Sequence, residues 1–348
     1  MKTKGTPGRR EFLKKTTQAL ATAAVCKGMP TAARAETPGQ SAGPIPTRTL
    51  GKTGLDLPIL GMGTSQMVPA LARTYGAPPR SAEQRAALVR CAYDRGVRYF
   101  DTARLYTEAE RVLGLGLKEV RKDCFVATKV AVFDPAQVRQ SVETSLGALG
   151  MDKVDAVQIH NPVLIKTGFD GTMKIRAELA KLRDEGLFKF IGVTTHVAYE
   201  TMYKLIATGG FDLALLAVSY FPKGKDTLLS EQNLKFREMC LDKAQELKVA
   251  VVAMKVMCVS IFGRMSKYIV PDYDPAARKR LPGAAMRWVM NDKRVSLMVI
   301  GMTYAEEIDE NRAVLTSDLS LTEGDRALLT DYTARVRETD YMKKMRIE

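Results

Sequence analysis

The chain repeats one pattern eight times: a short, continuously apolar segment followed by a segment with helical periodicity. The apolar segments cover residues 57–63, 97–101, 124–130, 154–160, 189–194, 212–220, 249–257 and 295–302. They lack the polar–apolar alternation of a sheet with one solvated face, and this is typical of parallel strands covered by helices. Eight such units predict an α/β fold, a closed (β/α)8 TIM barrel.

The helical segments carry their own start and stop signals. Ser81 stands three residues before Gln84, the spacing of a capping box, and Asp134 precedes Pro135 as a cap precedes a first helical residue. The predicted helices are 81–96, 108–120, 134–150, 171–186, 198–209, 230–248, 282–292 and 305–315. A further helix at 321–338 has no strand partner, so we expect it to pack outside or across the barrel.

An open, doubly wound sheet is the alternative arrangement of the same units. Such a sheet places a glycine-rich phosphate-binding turn between its first strand and first helix. Residues 61–66, GMGTSQ, are too short for that turn and lead into a loop. The barrel is therefore the favoured prediction.

The first 35 residues are typical of an export signal. Arg9 and Arg10 precede a weakly apolar stretch, and the triplet 33–35, ARA, suits cleavage after Ala35. We interpret residues 1–35 as a twin-arginine signal peptide, 36–46 as a linker and 47–348 as the barrel domain. A disordered basic arm is the alternative. The export reading implies the twin-arginine machinery as a partner and a periplasmic or otherwise exported location.

The charge distribution argues against a nucleic-acid partner. The chain carries a formal net charge of +14, but eight Lys/Arg and one acid lie in the first 35 residues, so half of that charge belongs to the predicted signal. The rest has no dense basic run. It also has no apolar run of the roughly 18 residues that span a membrane, so we expect no stable membrane insertion after cleavage.

Four residues with useful chemistry follow neighbouring strands. Asp101 ends the second strand, Tyr106 lies in the loop behind it, Lys129 ends the third strand and His160 the fourth. Alone, such residues are usually helix caps, ion-pair members or packing residues. In a barrel, however, catalytic residues gather where the strands end, and we expect these four to meet there.

Together these residue types suit the reduction of a carbonyl group. A phenol, with a pKa of about 10, is a weak proton donor at neutral pH, and a nearby ammonium group lowers that pKa. A buried carboxylate can hold the ammonium, and a neutral imidazole can orient the carbonyl by a hydrogen bond. A cofactor must supply the hydride, because no side chain can.

The same residues resemble the catalytic tetrad of the aldo-keto reductases. FDTARLY (100–106), ATKV (127–130) and QIHNP (158–162) match its strand-end motifs, and residues 48–64 resemble its opening hairpin and first strand. The resemblance implies that Tyr106 is the general acid, that Lys129 tunes it, that Asp101 anchors Lys129 and that His160 orients the carbonyl.

The resemblance also implies a nicotinamide cofactor, NADP(H) more often than NAD(H), without a metal or an iron–sulfur cluster. Residues 285–314 resemble the family's last strand and cofactor loop. The implied cofactor-binding residues are Gly63, Thr64, Thr194, Thr195, Met254, Lys255, Gly301, Met302, Thr303, Glu310 and Asn311. The implied substrate is a small carbonyl compound or alcohol.

The chain departs from the family pattern at several of these positions. Thr194 and Thr195 replace a Ser-Asn pair that holds the nicotinamide amide, and Met254 replaces an aromatic residue. Gly301 stands where lysine is frequent and Glu307 where arginine is frequent. A carboxylate repels a 2′-phosphate. We therefore expect a weakened NADP preference, or another phosphate anchor such as Lys255 or Arg312.

Two other functions compete with the reductase. A nicotinamide-binding barrel that senses without catalysing would keep the same site. A metal hydrolase could use His160 and His196, but the sequence has no His-x-His pair or carboxylate cluster to complete a metal site. Cys91, Cys124, Cys240 and Cys258 are widely spaced, so we interpret them as core residues.

Overall fold

The computed structural model describes residues 43–74, 77–224 and 227–348. The predicted signal peptide, 1–35, lies outside the described residues, as does the predicted linker up to residue 42. In the described part of the chain, no helix is both long enough and apolar enough to cross a bilayer.

A two-stranded hairpin opens the described chain and covers one end of the barrel. Its strands are β1 (Thr47–Thr49) and β2 (Asp56–Pro58), paired antiparallel. Leu50, between them, is fully buried with the side chains of the barrel interior. Arg48 donates hydrogen bonds to the backbone carbonyls of Met290 and Val295, both at 2.6 Å, which fasten the hairpin to the segment that leads into the last barrel strand.

Within the described ranges, eight parallel strands close into a barrel, as the sequence predicts. They are β3 (Leu60–Gly63), β4 (Tyr99–Asp101), β5 (Phe125–Val130), β6 (Ala156–Ile159), β7 (Phe190–Thr195), β8 (Leu213–Ala217), β9 (Ala250–Met254) and β10 (Leu297–Gly301). Each strand pairs with the next, and β10 pairs with β3 to complete the ring. The predicted segment 57–63 divides at residue 59, because its first residues belong to the hairpin.

Helices surround the barrel. Those in the described residues are α1 (Pro69–Thr74), α2 (Ala82–Asp94), α3 (Ala109–Leu117), α4 (Val138–Leu149), α5 (Asn161–Asp184), α6 (Tyr199–Ala207), α7 (Glu231–Glu246), α8 (Ser266–Ile269), α9 (Pro275–Asn291), α10 (Ala305–Leu315), α11 (Glu323–Glu338) and α12 (Asp340–Lys343). α11 is the predicted extra helix. It packs on α9, and the Tyr332 hydroxyl donates to the carbonyl of Ile261 at 3.0 Å.

Two helices begin earlier than the sequence predicts. α5 starts at Asn161 rather than 171, with a kink at Gly168, whose φ of 62° breaks the helical pattern. α9 starts at Pro275 rather than 282, capped by Asp274, and it includes Pro282. Residues 161–167, which lie between the predicted strand and the predicted helix, are therefore helical.

The alternation of side chains along the strands builds layers inside the barrel. Tyr99, Phe125 and Phe190 stack in sequence, with ring centroids 5.0 and 6.0 Å apart. Side chains two residues further along a strand point the same way. The next layer toward the strand ends therefore holds Asp101, and the aromatic rings themselves are buried among apolar side chains such as Leu50 and Leu213.

Candidate active site

Lys129 and Asp101 form a buried ion pair on adjacent strands. The Lys129 ammonium is bonded to Oδ1 of Asp101 and donates to the carbonyl of Thr102 at 2.8 Å. The two side chains are 2% and 6% exposed, so both charges depend on each other for stabilisation. The sequence prediction that these two residues meet therefore agrees with the positions found.

Gln158 is a third member of this network, and sequence reasoning missed it. Its Nε2 donates to Oδ2 of Asp101 at 2.8 Å, so both carboxylate oxygens are held. Gln158 pairs in register with Lys129 and lies two residues before His160, on the same face of β6. That period-2 spacing was the signal that could have identified it.

Burial is the main influence on the Lys129 ammonium. It lowers the pKa of Lys129, while the charge and hydrogen bond of Asp101 and the more distant Glu110 carboxylate act to raise it. The net direction is downward. Asp101 thus offsets part of the cost of burying the Lys129 ammonium.

Tyr106 lies close to both the Lys129 ammonium and the His160 ring. The ammonium is 5.4 Å from the centre of the Tyr106 ring, and the His160 ring meets it edge-on at 5.8 Å. The loop turns sharply here: the Tyr106 amide bonds to the carbonyl of Ala103 at 2.9 Å, and Thr107 takes a left-handed φ of 45°. The four predicted catalytic residues are therefore neighbours at one rim of the barrel.

A buried carboxylate supports this loop from outside the barrel. Glu110, fully buried at the start of α3, is ion-paired with Arg104 and accepts a hydrogen bond from Thr128 at 2.7 Å. Thr128 precedes Lys129 on β5. The Tyr106 loop is thereby tied to the strand that carries Lys129.

Thr194 and Thr195, at the end of β7, both hydrogen-bond to Asn161. Oγ1 of Thr194 accepts a hydrogen bond from the backbone amide of Asn161 at 3.0 Å, and Oγ1 of Thr195 donates to the side-chain Oδ1 of Asn161 at 3.2 Å. The His196 amide donates to the same oxygen at 2.9 Å. These bonds fix the Asn161 side chain and leave its NH2 group unused by them. That both threonines contact a nicotinamide remains a prediction.

The remaining predicted cofactor residues divide among three strand ends. Gly63 is the last residue of β3 and Thr64 follows it, where the Thr64 amide donates to the Asp101 carbonyl at 2.9 Å. Met254 ends β9, and Lys255 follows it with a φ of 60°. The residues at and beyond β10 are Gly301, Met302, Thr303, and Glu310 and Asn311 within α10.

The turn behind β9 has an unusual backbone. Three successive residues, Cys258, Val259 and Ser260, have φ angles of 47°, 53° and 69°. The left-handed region is costly for residues with a β-carbon, above all for a branched one such as valine. The turn lies three residues beyond Lys255, a predicted cofactor-binding residue that itself has a φ of 60°.

A metal site receives no support from the described residues. No group of three or more His, Cys, Asp or Glu side chains there could hold a metal ion. The four cysteines in these ranges are buried and reduced.

Known proteins resemble this chain along most of its length. The model of the aldo/keto reductase family matches residues 60–267. L-galactose dehydrogenase from Arabidopsis thaliana is 27% identical over 311 residues, covering 80% of this chain and 90% of that protein. The aldo-keto reductase str7 of Strobilurus tenacellus is 30% identical over 221 residues, 60% of each chain.

Solved structures share the fold. An aldo/keto reductase from Klebsiella pneumoniae in complex with NADP and acetate superposes with a TM-score of 0.63 at 19% identity, covering 82% of this chain and 95% of that one. An aldo-keto reductase from Bacillus halodurans gives the same TM-score at 18% identity, covering 83% and 96%.

Proposed function

The chain belongs to the aldo/keto reductase family, and we propose that it is a nicotinamide-dependent oxidoreductase that interconverts a small carbonyl compound and its alcohol. The observation that carries this proposal is the position of the Lys129 ammonium. It is bonded to Asp101 and lies 5.4 Å from the centre of the Tyr106 ring, which the His160 ring also contacts at 5.8 Å.

In this proposal Tyr106 is the general acid for reduction and the general base for the reverse reaction. Charge develops on the carbonyl oxygen during reduction, and the Tyr106 hydroxyl gives it a proton. The Lys129 ammonium stabilises the phenolate that remains, while Asp101 and Gln158 hold the ammonium in position. His160 donates a hydrogen bond that orients the carbonyl oxygen.

The rim offers donors that fit a nicotinamide dinucleotide. When bound, this cofactor would supply the hydride. The immobilised amide of Asn161 fits the carboxamide of the nicotinamide ring, and the strained turn with Lys255 fits an anionic linker. Glu310 and Asn311 fit the adenine, following the family pattern. That pattern favours NADP(H), and the Klebsiella pneumoniae complex with NADP supports a nicotinamide cofactor in general.

Exposed apolar side chains around the rim suggest a substrate with an apolar part. Leu105, Phe133 and Ile165 are 54%, 41% and 56% exposed, and they follow β4, β5 and β6, the strands that also carry the proposed catalytic residues. Because ligand pockets are lined mainly by apolar side chains, we propose that these three residues line the mouth of the substrate site.

Replacing Tyr106 separates the reductase from a non-catalytic sensor. With small aldehydes and ketones plus NADH or NADPH, Tyr106→Phe should lose about 100-fold or more of kcat/KM, while its dinucleotide Kd changes little. Tyr268→Phe, at an exposed tyrosine beyond β9, is the matched control. A wild-type protein that binds dinucleotide without turnover would favour the sensor.

For residues 1–35 we propose twin-arginine export, which carries folded proteins and would let this one leave with cofactor already bound. The supporting observation is the Arg9-Arg10 pair before an apolar stretch. Arg9→Lys combined with Arg10→Lys should keep the protein in the cytoplasm. Mass spectrometry of the exported protein should find a retained nicotinamide dinucleotide, and its absence would contradict the retention.

A further inference from the structure

The first turn of α10 holds a carboxylate from its own chain. Oε2 of Glu307 accepts hydrogen bonds from the amide and hydroxyl of Thr303, at 2.6 and 3.1 Å, and from the amide of Tyr304 at 3.2 Å. Amide groups at a helix N-terminus attract anions such as phosphate. Here the amides of Thr303 and Tyr304, just before the helix, are already bonded to a carboxylate of the chain itself.

Arg264 holds Glu307 in this position. Its Nε donates to Oε1 of Glu307 at 2.5 Å, and its guanidinium lies 3.6 Å from the centre of the Tyr304 ring. Arg80 contacts the same ring at 4.6 Å and donates to the Thr303 carbonyl. The positive charge of Arg264 is thus balanced by Glu307.

A neutral side chain occupies the space above Gly301. A β-carbon placed on Gly301 would lie about 2 Å from three atoms of the Gln66 amide, which is closer than any contact allows. The loop behind β3 therefore fills, with an uncharged amide, the volume that a longer side chain at 301 would need. The family pattern expects cations at positions 301 and 307. Here the space beside Gly301 holds the Gln66 amide, and residue 307 is an acid.

We propose that Glu307 makes this end of the site select NAD(H) over NADP(H). This inference rests on the proposed function, in which the adenosine part of the cofactor lies against α10. A 2′-phosphate there would have to displace Glu307 from three donors or lie beside its negative charge. A ribose 2′-hydroxyl has neither difficulty, and carboxylates commonly accept a hydrogen bond from that hydroxyl in NAD sites.

Calorimetric titration of the full chain with NAD⁺ and NADP⁺ tests this without any substrate. We expect the wild type to bind NAD⁺ at least tenfold more tightly. Glu307→Gln retains an oxygen acceptor for the helix cap but removes the charge, so it should shift the ratio of the two Kd values at least tenfold toward NADP⁺. Glu306→Gln removes an exposed charge from the same turn and should leave the ratio within twofold.

Glu307→Asp keeps the charge and should keep the preference for NAD⁺. This variant keeps the inference testable if Glu307→Gln fails to fold. A wild type that binds NADP⁺ as tightly as NAD⁺ would overturn the inference while leaving the proposed function standing, and so would an unchanged ratio in folded Glu307→Gln. If neither dinucleotide binds, the proposed function fails and the inference with it.

Discussion

The Lys129 ammonium and the Asp101 carboxylate are bonded to each other at the ends of adjacent parallel strands, and both are almost fully buried. The pairing follows from the pleat, which turns both side chains into the barrel above the stacked rings of Tyr99 and Phe125. In that apolar setting the carboxylate favours the charged form of the lysine by acting to raise its pKa. The ion pair is therefore the part of the site on which the proposed proton transfer depends.

Asp101→Asn should lower the pH above which reductase activity is lost. Burial already lowers the pKa of Lys129 and Asp101 opposes this, so removing the carboxylate lowers that pKa further. The ammonium is present below its pKa and lost above it. The alkaline limb of the kcat/KM profile should thus move to lower pH, with a loss of about 100-fold at neutral pH. Asp94→Asn, on the surface of α2, is the control, and an unmoved limb would contradict the prediction.

Gln158→Leu should slow turnover without moving the alkaline limb of the kcat/KM profile to lower pH. The change removes the hydrogen bond to Oδ2 of Asp101 but keeps the carboxylate that raises the pKa of Lys129. We expect kcat to fall about tenfold, the size of a lost hydrogen bond to a charged group, with dinucleotide Kd unchanged and the alkaline limb not moved to lower pH. A loss that appears only in KM would contradict a positioning role.

Thr107→Gly should stabilise the protein by about 1 kcal/mol. Thr107 is exposed and holds a left-handed φ of 45°, which a glycine adopts without steric cost. Thermal unfolding would measure the gain. Thr144→Gly, at an exposed position inside α4, should instead destabilise by about 0.5–1 kcal/mol. A Thr107→Gly variant no more stable than wild type would show that the turn is not strained.

The sequence was most informative where structure follows a local period. Continuous apolar segments located the eight barrel strands, and strand ends located Asp101, Lys129 and His160. Gln158 required the further step of following one face of β6 backwards by two residues. The start of α5 was missed because Gly168 and Gly171 interrupt the helical pattern.

Contacts made by the loops could not be predicted, because no local period in the sequence marks them. Arg264 and Glu307 are 43 residues apart, one in the segment after β9 and the other in the first turn of α10, and Gln66 reaches Gly301 from the loop behind β3. From sequence alone, Glu307 was an acid near a predicted phosphate position. Its cap on α10 and its pairing with Arg264 are consequences of how these loops pack around the closed barrel.

Gly114→Ala should destabilise the protein by about 3 kcal/mol. A β-carbon on Gly114 would lie 1.9 Å from the carbonyl oxygen of Leu149, so α3 and α4 would have to separate. Gly147, on α4, has nothing within 4 Å of the same added atom, and alanine is the better helix former. Gly147→Ala should therefore gain about 0.5–1 kcal/mol. Urea unfolding of both variants measures the difference, and equal effects at the two positions would contradict the close packing of α3 against α4.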